Sequence, residues 1–459
     1  MAKPEQTELR RDLGLWAAVS IVVGTVIGSG LFRVPQTMVM NVGTAGWVLA
    51  VFVVGGVLSL AGALSYAELA AAMPGAGGEY VYLTEAFGPV WGFLYGWTQM
   101  WVAKSGSIAT LATAFFEYLA NFFPGLERIF YTVPLPLGEH GAPLPLRYGQ
   151  LLAMGLILLL ATVNYFGVKG GGDLQIVMTG IKIGAIVLII FAGLTFGGKA
   201  TQPNHAPVVP ITAAGFVAAL VAALWAYDGW NNVSMVASEI RRPQRNLPAA
   251  LIGGTALVIA IYLLVNVAYF HVLSPEEVGA HKRVAAEMMS RVVGPWGAGA
   301  VSIAVMISIF AALNGSILSG SRVPYALARD GIFFRSFSHV HPRFATPGFS
   351  IMGLSLWAAF IVFLGRYDQL YNYVIFASWL LYGLTTAAVP VLRRKRPEMV
   401  RPYRALGYPI VPFLFVAATI VIEGFTLRDS PRESITGIVL ILVGLPFYFW
   451  WKSRKRVIM

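Results

Sequence analysis

The chain has 459 residues, 57% of them hydrophobic and 12% charged, with a formal net charge of +12. So large an apolar share, gathered into blocks of about 20 residues that each match the hydrocarbon thickness at about 1.5 Å per residue, excludes a water-soluble globular protein. It also excludes a nucleic-acid-binding domain, because the basic residues sit in short runs at block ends. Cysteine is absent, which excludes disulfides, thiolate metal sites and cysteine nucleophiles.

In chain order, twelve blocks are predicted to be membrane helices, giving an all-α integral membrane fold. They run over 13–40, 44–72, 89–118, 147–166, 173–196, 211–239, 248–272, 297–328, 348–365, 367–392, 409–427 and 435–451. The polar stretch before Leu13 is short and no small-residue cleavage site follows, so the first helix is expected to stay. With both termini cytoplasmic, inner segments hold 20 Lys and Arg residues and outer loops 9, and the positive-inside bias fixes that orientation. A multi-pass protein of the cytoplasmic membrane is expected. No linker or low-complexity run divides 1–459, so one transmembrane domain is expected, with a Pro-rich outer loop over 121–147.

Two blocks are interrupted at corresponding places. The first carries Gly24 Thr25 Val26 Ile27 Gly28 Ser29 Gly30, and the sixth carries Tyr227 Asp228 Gly229 Trp230 Asn231 Asn232. Glycine disfavours helix, and Asp and Asn compete for backbone hydrogen bonds, so both stretches favour unwinding. Glycines in a membrane helix also serve close helix packing. Unwound backbone at membrane depth is tolerated only beside a cavity, and paired breaks point to a transporter of inverted repeats with its substrate at the midplane. The six histidines form no ligand cluster and no paired catalytic carboxylates stand out, so neither a metal, another cofactor nor an enzyme is expected.

The first break, with Ile21 to Phe32 around it, resembles the first-helix signature of the amino acid, polyamine and organocation superfamily. Ser65 to Leu69 and Pro74 to Leu83 are similar to further marks of that superfamily. Trp225 Ala226 Tyr227 Asp228 Gly229 Trp230 Asn231, continued by Glu239, Arg242 Pro243 and Asn246 Leu247 Pro248, resembles the L-type amino acid transporter branch and its bacterial members. Asn314 Gly315 Ser316 and Ala328 Arg329 Asp330 Gly331 extend the likeness over essentially the whole chain. The resemblance implies a LeuT-like fold, with helices 1–5 over 13–196 and 6–10 over 211–392 as inverted repeats and helices 11–12 over 409–451 outside the core. It implies sodium-independent exchange of neutral L-amino acids by alternating access; proton-coupled uptake and a non-transporting amino-acid sensor are the alternatives. The eukaryotic members hold a heavy chain through a cysteine, so a stand-alone monomer in the bilayer, without that partner, is expected here.

An amino acid brings a carboxylate and an ammonium, and burying either without a partner is prohibitive. Amides around Gly28, Ser29 and Gly30 at a helix N-terminus suit the carboxylate. Carbonyls at Val26, Trp225 and Asp228, where the first half-helices end, suit the ammonium, and Thr25 lies in the same break. By resemblance Trp225 is an outer gate, with apolar packing the alternative. Asp228 is ionisable at membrane depth, so function is its default reading; relatives handling cationic substrates have aspartate there, but bacterial exchangers of small neutral amino acids look similar too. By resemblance Lys182 bridges helices 1 and 8 in place of a sodium ion, where it could also titrate or serve purely as a structural partner, and Ser316, which is also assigned to substrate contact, and Ser319 lie near it as hydrogen-bond acceptors. Glu68, Glu79, Glu239 and Arg329 are expected near cytoplasmic helix ends in a structural or inner-gate role. Lys104 and Glu117 have no facing assigned, and Trp379 either lines a distal pocket or packs.

Overall fold

In hydrocarbon every backbone N–H and C=O must be satisfied within its own segment, so the apolar blocks fold as helices. The computed structural model describes residues 9–134, 143–199, 207–364, 367–429 and 431–458, with the backbone alone at 199, 367–374, 433 and 455–458. Of the charges counted for orientation, Lys3 and Arg366 lie outside the described residues, as do the side chains of Lys199, Lys455 and Arg456.

The first block is two helices, Leu15–Val26 and Gly30–Val42, joined by an unwound Ile27–Ser29. Ala45–Ala72 follows, its N-terminus capped by the Thr44 hydroxyl, which accepts from Trp47 N–H at 3.3 Å. The third helix is Pro89–Thr98 and Lys104–Leu119 joined through a π-helical turn, Gln99–Ala103. Tyr148–Tyr165 and Val168–Phe196 are the fourth and fifth. The sixth breaks after Ala213–Tyr227 and resumes as the short turns Asn232–Met235 and Ala237–Glu239. Pro243–Val272, then Pro295–Gly320 continuing into Arg322–Arg329, are the seventh and eighth. Gly348–Ile361, Tyr367–Lys395, Ile410–Asp429 and the pair Pro431–Leu442 and Gly444–Ile458 complete the set.

Among the described residues nine helices are long and apolar enough to cross a membrane. The other expected blocks hold Ala213–Tyr227 and Gly348–Ile361, which are shorter, and 89–119, which the π-helical turn interrupts. Length and composition therefore carry nine spans, where hydropathy alone gives twelve. The fifth and seventh helices start about a turn before their apolar blocks, because polar first turns such as Lys169–Asp173 and Gln244–Asn246 escape a hydropathy reading. The Pro-rich loop contains a two-stranded antiparallel ribbon, Ile129–Val133 with Leu144–Arg147, a small addition to a mostly helical fold; residues 135–142 lie outside the description.

The first broken helix is the most deeply buried of the membrane-length helices among the described residues. Of the first helix's apolar window 83% is buried, against 28% of the eleventh and 33% of the twelfth, which form the rim.

Candidate functional site

At the first break Ile27 N–H still reaches Val23 O at 3.0 Å, but Gly28 N–H turns back to Val26 O at 2.8 Å and the helix restarts at Gly30. A Cβ on Gly30 would lie 2.8 Å from Ala226 Cα, so glycine there lets the two broken backbones touch. At the second break Asp228 N–H donates to Trp225 O at 3.1 Å, and Gly229 takes φ +108°, a conformation open mainly to glycine.

Two hydroxyls tie the breaks together. Thr25 Oγ1 lies 2.6 Å from Ile21 O and 2.9 Å from Gly229 O, and its one proton serves one carbonyl at a time. The Tyr262 hydroxyl lies in the same manner between Val26 O at 3.0 Å and Ala226 O at 2.7 Å.

Around the breaks lies a narrow pocket lined by Thr25, Val26, Gly28, Ser29, Gly30, Ser107, Leu111, Trp225, Asp228, Gly229, Asn232 and Ser316. All eight residues assigned from the sequence to substrate contact thus face one space. Two details differ from the sequence reading. The Gly28 amide is used within its own turn, leaving the start of the Gly30–Val42 helix to face an anion. The Trp225 carbonyl already has the donor Asp228 N–H, so a ligand ammonium there relies on its second lone pair, while Val26 O has Gly28 N–H and the Tyr262 hydroxyl it shares with Ala226 O, so an ammonium there competes with the tyrosine. Ser107 and Leu111 carried no sequence signal, since Lys104, Ser105, Ser107, Thr110 and Thr113 spread polar atoms around the helix and do not reveal which face meets a cavity; the adjoining π-helical turn, frequent at functional sites, is visible only in the structure.

Lys182 stands outside this lining. Its Nζ donates to Gly24 O at 2.8 Å, Ile27 O at 2.6 Å and Ser308 O at 3.1 Å, spanning helices 1 and 8. Ser308 Oγ also donates to Ile27 O at 2.8 Å. The expected serine partners are corrected: Ser319 Oγ bonds its own helix at Gly315 O, 2.7 Å, and Ser316 lines the pocket. Ser316 lies two turns beyond Ser308, about 12 Å along an α-helix, which takes it out of the lysine's reach.

Behind the pocket wall, Tyr382 OH donates to Asp228 Oδ1 at 2.8 Å, and Lys104 Nζ donates to Asn232 Oδ1 at 2.6 Å. Glu79 lies against the second break rather than at an outlying helix end: it is fully buried and accepts from Asn231 Nδ2. Glu239 and Arg322 form a buried bidentate pair at 2.7 and 3.0 Å. The same stretch is tied to the N-terminal segment, where Leu13 N–H donates to Glu239 O at 3.0 Å and Arg241 N–H to Leu13 O at 2.8 Å. Arg322 went unassigned in the sequence because nothing local marks its partner.

Glu68 holds Arg393 at 2.6 and 2.9 Å and caps Ala405 N–H at 2.7 Å, a structural tie between helices 2 and 10. Arg329 is exposed, and Glu117 pairs with Arg33 at 2.6 Å. Trp379 stacks on Phe415, ring centroids 5.4 Å apart, and is absent from the pocket lining, so packing is its role.

A family model described as amino acid permease matches residues 13–445. The chain is 34% identical over 457 residues to the b(0,+)-type amino acid transporter 1 of Oryctolagus cuniculus, covering 99% of this chain and 90% of the relative. It is 32% identical over 459 residues to the serine/threonine exchanger SteT of Bacillus subtilis, covering 98% and 99%, and 31% identical over 468 residues to the human cystine/glutamate transporter, covering 98% and 88%. These relatives are membrane transporters by name, and a likeness of this extent, joined to paired helix breaks around one pocket, places the chain in the amino acid permease family of the amino acid, polyamine and organocation superfamily, within its L-type transporter branch.

Proposed function

We propose that this protein exchanges small neutral L-amino acids across the cytoplasmic membrane by alternating access, without sodium, as a stand-alone monomer with both termini inside. The observation that carries the reading is Lys182, whose ammonium occupies three converging carbonyl oxygens of helices 1 and 8. Such a cluster of oxygens is what a bound cation requires, and a covalently held charge fills the role without an ion. The substrate carboxylate meets the start of the Gly30–Val42 helix, its ammonium meets the carbonyls at Val26, Trp225 and Asp228, and Trp225 closes the outer side. The exchange and the small neutral substrates rest on the serine/threonine exchanger, which this chain matches end to end. With no cysteine, no disulfide-linked partner is possible.

Counterflow in proteoliposomes tests this. Uptake of labelled serine into vesicles preloaded with serine should exceed uptake into empty ones, with and without sodium. Strict sodium dependence sinks the reading, and equal uptake driven by an inward proton gradient replaces exchange with proton-coupled uptake.

A further inference from the structure

Asp228 places a carboxylate on the pocket wall, which by itself favours a cationic side chain. Its surroundings oppose that. Lys104 projects from the third helix directly after the π-helical turn, fully enclosed, and donates to Asn232, a second residue of the same wall. The eighth helix makes room for it with Gly320, where a Cβ would stand 2.3 Å from Lys104 Cγ and 2.9 Å from its Cδ. The ammonium and the Asp228 carboxylate act on each other through space, and Glu79 is the other carboxylate within its field, engaged by Asn231. Tyr382 OH holds Asp228 by a hydrogen bond to its Oδ1 at 2.8 Å.

We propose that Lys104 sets the charge class of the substrate: lodged on Asn232 behind the wall, it offsets Asp228 and so suppresses a preference for cationic amino acids. This rests on the transport reading above and deepens it, since neutral selectivity then comes from a pair of opposite charges rather than from an uncharged wall. Selectivity is a difference of affinities, and an uncompensated charge at the wall moves neutral and charged substrates apart.

The test is the arginine-to-serine ratio in counterflow, measured for wild type, Lys104→Met, Asp228→Asn and the double variant, each checked for monodispersity. Lys104→Met should raise the ratio at least about tenfold, and adding Asp228→Asn should return it to near the wild-type value. Asp228→Asn alone, which takes the negative charge from the pocket wall and leaves the ammonium only Glu79 behind it, should lower the ratio and raise that of glutamate to serine; this arm stands even if Lys104→Met does not fold. A folded Lys104→Met with an unchanged ratio, or a double variant as cation-selective as the single, overturns the proposal while leaving exchange intact. A wild type that prefers arginine sinks the neutral-substrate reading only, because the role of Lys104 is read from the change in ratio. A wild type that moves no amino acid sinks both.

Discussion

Replacing Lys182 by Ala removes an ammonium that three carbonyls share, yet the three do not lose equally. Ile27 O keeps the Ser308 hydroxyl at 2.8 Å, and Ser308 O lies within the continuous helix Pro295–Gly320 and keeps its helical donor. Gly24 O is different, because Gly28, which would serve it in an unbroken helix, turns its N–H to Val26. One buried carbonyl is therefore orphaned, costing about 1–3 kcal/mol. With this geometry taken as confined to one of the two states of the proposed alternating cycle, and about 1.4 kcal/mol changing a two-state ratio tenfold, the distribution should shift by roughly 5- to 150-fold. Relief from burying an ammonium offsets part of the loss in overall stability, which makes thermal melting a poor readout. The assay is substrate affinity by binding beside counterflow rate in one preparation across a range of pH. Turnover should fall about tenfold or more while affinity stays within about threefold. Ser308→Ala should be milder, since Ile27 O then keeps the lysine. Wild-type exchange with a wild-type pH profile in Lys182→Ala refutes both the bridging and any titrating role.

Trp225→Ala should impair counterflow while leaving the melting temperature nearly unchanged, because the ring lines the pocket; a loss of about 3–5 kcal/mol, as for a core tryptophan, together with normal transport would show that it packs rather than gates. Arg322→Ala and Glu239→Ala each strand a fully buried charge and should cost about 3–5 kcal/mol in thermal stability, whereas the joint apolar replacement Arg322→Met with Glu239→Leu should cost less; a double variant no better than the singles contradicts this. In the segment Pro275–Ala280, between helices 7 and 8, burial pushes the Glu277 carboxyl up, but the Ser274 N–H and the Arg291 guanidinium outweigh it and hold the group below its ordinary value. Its stabilising effect is present above the ordinary carboxylate value and is lost as pH falls through the lowered one, so limited proteolysis between 273 and 293 should accelerate below about pH 4; a flat profile from about pH 7 to 3 contradicts it.

The breaks in helices 1 and 6 were legible in the sequence because glycine, Asp and Asn act locally, and so was the pocket they form. Lys182 was legible as an intramembrane charge, although its partner on helix 8 was misplaced by two turns, because spacing along one helix says nothing of its height against another. Ser107 and Arg322 depend on which helix faces meet, which the pattern of their own helices does not disclose, whereas Asn232 stood within the legible second break. The charge balance between Lys104 and Asp228 was hidden for the same reason: neither residue is near the other in the chain.

The site's ties also set an order of assembly. Thr25 waits for Gly229, Val26 for Tyr262 and Ile27 for Ser308, and the N-terminal bridge at Leu13 waits for Ile240. At about 5–20 residues per second of synthesis, the first broken helix enters the bilayer roughly 10 to 50 s before these partners emerge. During that interval the carbonyls at its break are in hydrocarbon or borrowing water, and no early intermediate can hold the substrate pocket. A ribosome stalled before the fifth helix therefore leaves a membrane-inserted fragment without Lys182, its Gly24 and Ile27 carbonyls unsealed, which a membrane-protein quality-control protease can recognise by its exposed backbone.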